Sequence, residues 1–410
     1  MTDRLYYTDP YLRAFDATIT RVDRRGDRLA VTLDRTAFYP TSGGQPFDTG
    51  RLGPHRVVDV VDDEDGSITH VVEPRTPNHE PRTDPEPGIL NLEPGQLVRC
   101  EIDWPRRFDH MQQHSGQHVL SAAFDKLFGV RTVSFHLGAE ASTIDLARET
   151  TPAEIAAAEA EANRIVWEDR PVAIRFVDAA EAARLPLRKE PARGGTLRLI
   201  DVDGFDLSAC GGTHVARSGA IGVIAAASWE RYKGGQRIGF VCGGRALDGY
   251  RTLRDAMTAS VRLLSVLPEE LPAGIERLLS EAKDQKRALS ALQSELARYR
   301  AEELAQTAEE LGAANFRLVA QAVDADANGL KSLAAAIVAK PGLLVVLVST
   351  STPALVVIAR SSEVAVSAQQ FLAKLTAEFG GRGGGRPEMA QGGGLNAPAD
   401  AIFSAVRAAI

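Results

Sequence analysis

The chain holds 410 residues with 44% apolar and 25% charged side chains and a formal net charge of −7, the composition of an ordinary soluble globular protein with room for two to four folded domains. The negative balance excludes a uniformly basic nucleic-acid coat but not a local basic patch, because binding follows the distribution of charge. Three cysteines cannot build a disulfide framework in so long a chain. The opening MTDRLYYTDPYLRAFD lacks the apolar core of a signal peptide, and no apolar run reaches membrane-spanning length. The expectation is a protein of the reducing cytoplasm with no membrane partner.

Residues 16–34 alternate apolar and polar about an Arg-Gly-Asp turn, and 55–73 repeat the pattern about Asp-Gly. Both predict β-hairpins, and QLVRCEID (96–103) predicts a further strand. Residues 1–103 therefore read as a small β-barrel-like domain, interrupted by the loop TPNHEPRTDPEPG at 76–88. From Pro105 the apolar period lengthens to that of a helix, with proline in its first turn and Gly129 past its end. A second helix follows over 151–170, where Thr151 and Glu154 have the spacing of a capping box. Residues 104–245 read as one α+β domain.

Over 246–312 two apolar stripes at helical spacing, Tyr250 to Leu264 and Ile275 to Tyr299, flank the turn LPEELP. They predict an antiparallel coiled-coil hairpin serving as a spacer, with dimerisation through the stripe as the alternative. Residues 313–410 alternate helix and buried strand, with GLLVVLVST and ALVVIARS as neighbouring strands, and read as a small α/β domain. The whole is an α+β multidomain chain.

The phrase CGGTH (210–214) sets a thiol and an imidazole four residues apart, and HMQQHSGQH (110–118) sets His114 and His118 four apart on a predicted helix. Residues i and i+4 share a helix face. Cys210, His214, His114 and His118 together make a Cys-His₃ set, whose number and softness suit Zn²⁺. Four protein ligands normally close a site. Zinc then expands to five ligands, holds one of them loosely, or orders the pocket while water is activated elsewhere. His110 is assigned to the surroundings of the site or to substrate, and His136, Cys100 and Cys242 to structure. Gly116 lies inside the helix, where glycine costs about 1 kcal/mol relative to alanine, so something is expected to pass close to it. Gly211 and Gly212 carry the same expectation.

FYPTSGGQPFDTG (38–50), HMQQHSGQH, CGGTH and GGQRIGFVCG (234–243) occur in an order and spacing that resemble the editing domain of alanyl-tRNA synthetase and its free-standing relatives, the AlaX proteins. GGRGGGRPEMAQGGG (380–394) resembles the glycine-rich signature of the DHH-associated domain. The likeness spans nearly the whole chain and points to the long form of AlaX. It implies hydrolysis of mischarged alanine tRNA, chiefly the seryl ester and in some members the glycyl ester. The β-domain begins within the first twenty residues, so the resemblance implies deacylation without aminoacylation. A tRNA-binding module without catalysis is the alternative.

Within that resemblance Thr41, Ser42 and Gln45 are candidate partners for the serine hydroxyl, and Thr213 is a further substrate contact. Taken alone, PTSGGQ also reads as a β-turn. Arg237 matches a family arginine that holds a phosphate of the tRNA end or pairs with a carboxylate such as Glu230. The glycine-rich tail lacks the GK[ST] of a Walker loop. Its exposed amides and its cations, Arg382, Gly383, Gly384, Gly385, Arg386, Gln391, Gly392 and Gly393, are expected to meet tRNA phosphates. A homodimer through the helical or C-terminal part is a further expectation.

Overall fold

A computed structural model describes residues 1–73, 92–188, 195–311 and 315–410. The loop expected at 76–88 lies outside the described residues. The chain divides into two compact units, Met1–Thr258 and Ala259–Ile410.

The first unit opens with six strands, β1 (Ala14–Arg25), β2 (Arg28–Leu33), β3 (Gly50–Leu52), β4 (His55–Asp62), β5 (Ile68–Glu73) and β6 (Leu97–Ile102). They close into a barrel in the order β1-β2-β5-β4-β3-β6. The alternation read from the sequence is the in–out alternation of this wall. Ala17, Ile19, Val31, Leu33, Val57, Val60, Val72 and Cys100 fill the interior. His70 is the polar exception. It is fully buried, its Nδ1–H donates to the Val31 carbonyl at 3.0 Å, and its Nε2 accepts from the Thr36 hydroxyl at 2.8 Å.

Helix α1 (Trp104–Phe128) follows, with proline at its start and Gly129 ending it in the left-handed conformation at φ 63°. It packs on α2 (Pro152–Trp167), where Thr151 and Glu154 form the reciprocal capping box. Four antiparallel strands, β7 (Thr132–Leu137), β8 (Ser142–Leu146), β12 (Ile224–Tyr232) and β13 (Gly235–Cys242), form a sheet ordered β12-β13-β8-β7. Three more, β9 (Val172–Val177), β10 (Leu197–Val202) and β11 (Asp206–Ala209), form a second sheet in sequence order. The inner face of α1, from Met111 to Phe124, is buried among these elements.

Helix α3 (Gly244–Leu264) runs across the boundary between the units. Helix α4 (Leu271–Gln306) continues in the second unit, which also holds β14 (Glu309–Glu310), β15 (Arg317–Val323), α5 (Ala327–Val338), β16 (Leu343–Ser349), β17 (Ala354–Arg360), α6 (Ala368–Phe379), β18 (Arg382–Gly385), β19 (Met389–Leu395) and α7 (Ala399–Ala409). Its six-stranded sheet has the order β14-β15-β16-β17-β19-β18, with apolar clusters on both faces. Ala297, Ala301 and Ala305, four apart on α4, reach one of these clusters. The leucine stripe on the same helix does not: Leu278, Leu289, Leu292, Leu296 and Tyr299 are each more than half exposed. The glycine-rich tract is built into the sheet. Residues Arg382–Gly385 pair antiparallel with 390–393, so the tract is a hairpin with its turn at Arg386–Glu388. A Cβ at Gly383 would lie 2.5 Å from the Gln391 carbonyl oxygen, which is why side chains are missing there.

No helix among the described residues is long and apolar enough to cross a membrane.

Burial pushes the His70 imidazole down to about 4. The unfolded ring takes a proton near 6.5 while the folded one resists it, so the unfolded chain binds more protons between those values. Stability is therefore full above about 6.5 and falls as pH drops toward 4, by about 3 kcal/mol for this one group. Urea unfolding at several pH values should show a shallower acid loss in His70→Gln than in the unaltered protein. Equal slopes would remove His70 as the cause.

Candidate metal centre

The middle of α1 points His114 and His118 inward, one turn apart, and both rings are buried. Strand β11 runs toward them and ends at Ala209, so the next residue, Cys210, reaches the same place, and the CGGTH turn returns His214 to it. The ligating atoms of His114, His118, Cys210 and His214 all lie within 4.8 Å of one another. Cys210 Sγ stands 3.4 Å from His114 Nε2 and 3.3 Å from His214 Nε2. Zinc–nitrogen and zinc–sulfur bonds at tetrahedral angles put neighbouring donors about 3.3–3.7 Å apart. Both separations match the spacing of donors around one ion.

Each ring has its remote nitrogen occupied. His114 Nδ1–H donates to Gln45 Oε1 at 2.8 Å, His118 Nδ1–H to Asp206 Oδ2 at 2.9 Å, and His214 Nδ1–H to Ser115 Oγ at 3.2 Å. Occupation of Nδ1 turns Nε2 toward the centre, the orientation a metal ligand needs. Burial disfavours charge on Cys210, but the neighbouring His114 and His214 outweigh it and hold its thiol well below the ordinary value. Burial pushes the His214 ring down to about 3. Thiolate and neutral imidazole are the ligand forms of these groups. Burial also opposes charge on His118, yet Asp206 and Cys210 raise it to about 9.

Gln45 spends its whole amide inside this arrangement. Besides His114 it accepts from the Thr213 amide at 3.1 Å, and its Nε2 donates to Thr213 Oγ1 at 2.8 Å. Gln45 and Thr213 are thus bound to each other and buried. Thr41 and Ser42 are exposed on the turn that carries Gln45. That turn closes between Ser42 and Gln45, with Gly43 and Gly44 at φ 54° and 83°, the positive values a tight hairpin turn requires. Arg237, on β13, meets Asp145 rather than Glu230, through bonds of 2.7 and 2.9 Å, and its guanidinium lies 3.6 Å from the Tyr232 ring centroid. Arg382 and Arg386 are exposed in the second unit, on and beside the edge strand β18.

The glycines have specific neighbours. At Gly212 a Cβ would fall 2.2 Å from the His114 ring, so glycine there admits the ligand itself; at Gly211 it would meet only ordinary contact with Tyr7. At Gly116 the close neighbour is the Cys242 sulfur, 2.3 Å from where a Cβ would stand. His110 is buried, its Nδ1 has no hydrogen-bond partner among the described residues, and burial pushes it down to about 4. His136 is exposed. Asp206, Ser115 and Arg188 were not among the candidates. The available signal was local: Ser115 follows His114 directly, and Asp206 lies four residues before Cys210 on a strand leading to it.

Arg198 borders the centre. Its Nη1 donates to the Cys210 carbonyl at 2.7 Å and its Nε to the Tyr7 carbonyl at 2.9 Å, which ties the CGGTH turn to the N-terminal segment.

Residues 197–239 match the threonyl and alanyl tRNA synthetase second additional domain, and residues 315–410 match the DHHA1 domain. The chain is therefore of the class built from the accessory domains of alanyl-tRNA synthetase. It is 33% identical over 403 residues to the alanine–tRNA ligase of Pyrococcus abyssi and 34% identical over 410 residues to that of Natronomonas pharaonis. These alignments take in 95% and 96% of the chain but only 42% of each ligase. It is 31% identical over 402 residues to the alanyl-tRNA editing protein AlaX-L of Pyrococcus horikoshii, covering 96% of the chain and 94% of that protein. The chain belongs to the AlaX-L family of alanyl-tRNA editing proteins.

If the Cys242 sulfur is what excludes a side chain at 116, Gly116→Ala should destabilise the fold by about 1–3 kcal/mol. Adding Cys242→Ala should restore part of that loss. Thermal melts of the two single variants and the double variant test the pairing, and strictly additive losses would refute it.

Proposed function

We propose that the chain is a zinc-dependent trans-editing deacylase that hydrolyses mischarged alanine tRNA, chiefly the seryl ester and in second place the glycyl ester. The observation that carries the reading is the meeting of three buried imidazoles, each tied at Nδ1, with the partly exposed sulfur of Cys210, in a chain that aligns with almost the full length of an alanyl-tRNA editing protein. Zinc held by His114, His118, Cys210 and His214 would lend Lewis acidity to the ester carbonyl or to a water beside it. The four-donor set resembles a closed site, so ordering the pocket is the larger part of its role.

The chain's own groups supply the rest. Gln45 and Thr213 act on His114 rather than on substrate, because their polar atoms are already joined. Thr41 and Ser42, exposed on the same turn, are the hydroxyls placed to meet the serine side chain. Thr41 Oγ1 already accepts from the Phe47 amide, which fixes its direction. A pocket that hydrogen-bonds a substrate hydroxyl rejects the analogue without it by on the order of 10⁴–10⁵ in favourable cases. Arg237, held by Asp145 on one side, is assigned to the phosphate of the tRNA end.

The second unit is assigned to the tRNA body. A cleft of about 340 Å³ is lined by Arg382, Gly383, Gly384, Gln391, Gly392 and Gly393 together with residues of β17. Arg386 stands at the hairpin turn, and β18 is an edge strand whose outer amides have no strand partner among the described residues. Edge amides and arginines are phosphate donors. The exposed stripe on α4 supports association with a second copy.

Purified protein should cleave seryl-tRNA and spare alanyl-tRNA when seryl, glycyl and alanyl esters are compared side by side. Loss of every cleavage with tRNA binding intact would favour the non-catalytic module. His114→Ala and Cys210→Ala should lose zinc and turnover together; full turnover by a metal-free Cys210→Ala protein would refute zinc dependence. Replacing Arg382 and Arg386 with Ala should weaken tRNA binding and lower its salt dependence by about two charges. An unchanged salt slope would remove the hairpin from the contact.

A further inference from the structure

The three imidazoles differ in what stands behind them. His114 is backed by the neutral amide of Gln45 and His214 by the neutral hydroxyl of Ser115. His118 alone is backed by a carboxylate, that of Asp206. A carboxylate on the remote nitrogen fixes the tautomer and ring orientation more firmly than a neutral acceptor and makes the near nitrogen a stronger donor.

Asp206 is built for this place. Its side chain is fully buried, where a lone carboxylate would be costly. Arg188 offsets its charge through Nε to Oδ1 at 2.6 Å and Nη2 to Oδ2 at 3.2 Å. Ser208 Oγ lies 3.1 Å from both oxygens. Residues 206 and 208 alternate onto one side of β11, and the strand then delivers Cys210. One short segment thus supplies both the brace of one ligand and the thiolate of another.

We infer that Asp206 is a positioning residue that sets the affinity of the site for zinc by orienting His118, with Arg188 holding Asp206 in register. This rests on the zinc reading above. Ser115 serves as the internal control, because its hydroxyl stands behind His214 as Asp206 stands behind His118, but without charge.

The test is zinc affinity of the full chain, measured by competition with a chelator, for the unaltered protein, Asp206→Asn and Ser115→Ala. Asp206→Asn should weaken binding about ten- to a hundredfold, and Ser115→Ala by distinctly less. Cobalt(II) replacing zinc should show altered ligand-field bands in Asp206→Asn while the thiolate charge-transfer band persists, because Cys210 still binds. A separate readout needs no variant. In the zinc-loaded protein with ¹⁵N-labelled histidine, His118 should be metal-bound through Nε2 and carry a strongly downfield Nδ1 proton. Unchanged affinity and cobalt spectrum in a folded Asp206→Asn, or His118 bound through Nδ1, would overturn the inference while leaving zinc in place. A wild-type protein that takes up no zinc would overturn the zinc reading, and this inference with it.

Discussion

The buried ion pair between Arg107 and Asp48 is the constraint on which the first unit depends. Both side chains are wholly inaccessible. Arg107 Nε bonds both carboxylate oxygens at 3.0 Å, Nη1 donates to the Pro10 carbonyl at 2.9 Å, and Nη2 reaches Asp48 and the Ala37 carbonyl. Asp48 also accepts from the Tyr39 amide at 2.6 Å. Burying two charges carries a desolvation cost of several kcal/mol per ion, and such pairs are weak evidence for stability. Their use here is registry. The pair locks the first turns of α1 against the 37–48 segment of the barrel domain. Gln45, three residues before Asp48, is thereby set to meet His114, seven residues after Arg107. Two elements distant in sequence are indexed to each other at one point, and the ligand ring is aligned by consequence.

The secondary structure of the first unit was legible because its periods are clean. Hairpins at 16–34 and 55–73 emerge from alternation about Gly-containing turns, and α1 and α2 carry their end signals in proline, glycine and a capping box. Glycine-rich composition commonly reads as loop, whereas Gly383, Gly385 and Gly392 stand in paired strands where a Cβ would fall within 3 Å of a neighbouring atom. The helical stripes over 246–312 were equally clear, but periodicity reports only that a face is apolar. It does not identify what covers the face, and the leucines of α4 remain exposed.

The four sulfur and nitrogen donors could be listed from the sequence because each pair is joined by a short covalent spacing that a helix or turn converts to a shared direction. Their braces could not. Gln45 reaches His114 across 69 residues, and Asp206 reaches His118 across 88. No local pattern encodes a contact between a barrel turn and a helix. The same limit explains Gln45, whose place in a Gly-Gly-Gln turn suggested a hand extended to substrate, whereas its amide is turned inward. The glycine at 116 was recognised as a point of close approach, but the sulfur that approaches it comes from β13, 126 positions later in the numbering.

The three cysteine thiols fall into two chemical situations. Burial pushes the Cys100 thiol up to about 12 and moves Cys242 in the same direction, so both stay protonated inside apolar cores. Cys210 is partly exposed and its thiol is held well below the ordinary value. Oxidants and alkylating agents attack thiolates that they can reach. Of the three cysteine thiols, the one in the donor set is thus the one both reachable and biased toward its anion. Oxidation there to a sulfenic acid would alter one of the four donors and leave three imidazoles around the same point.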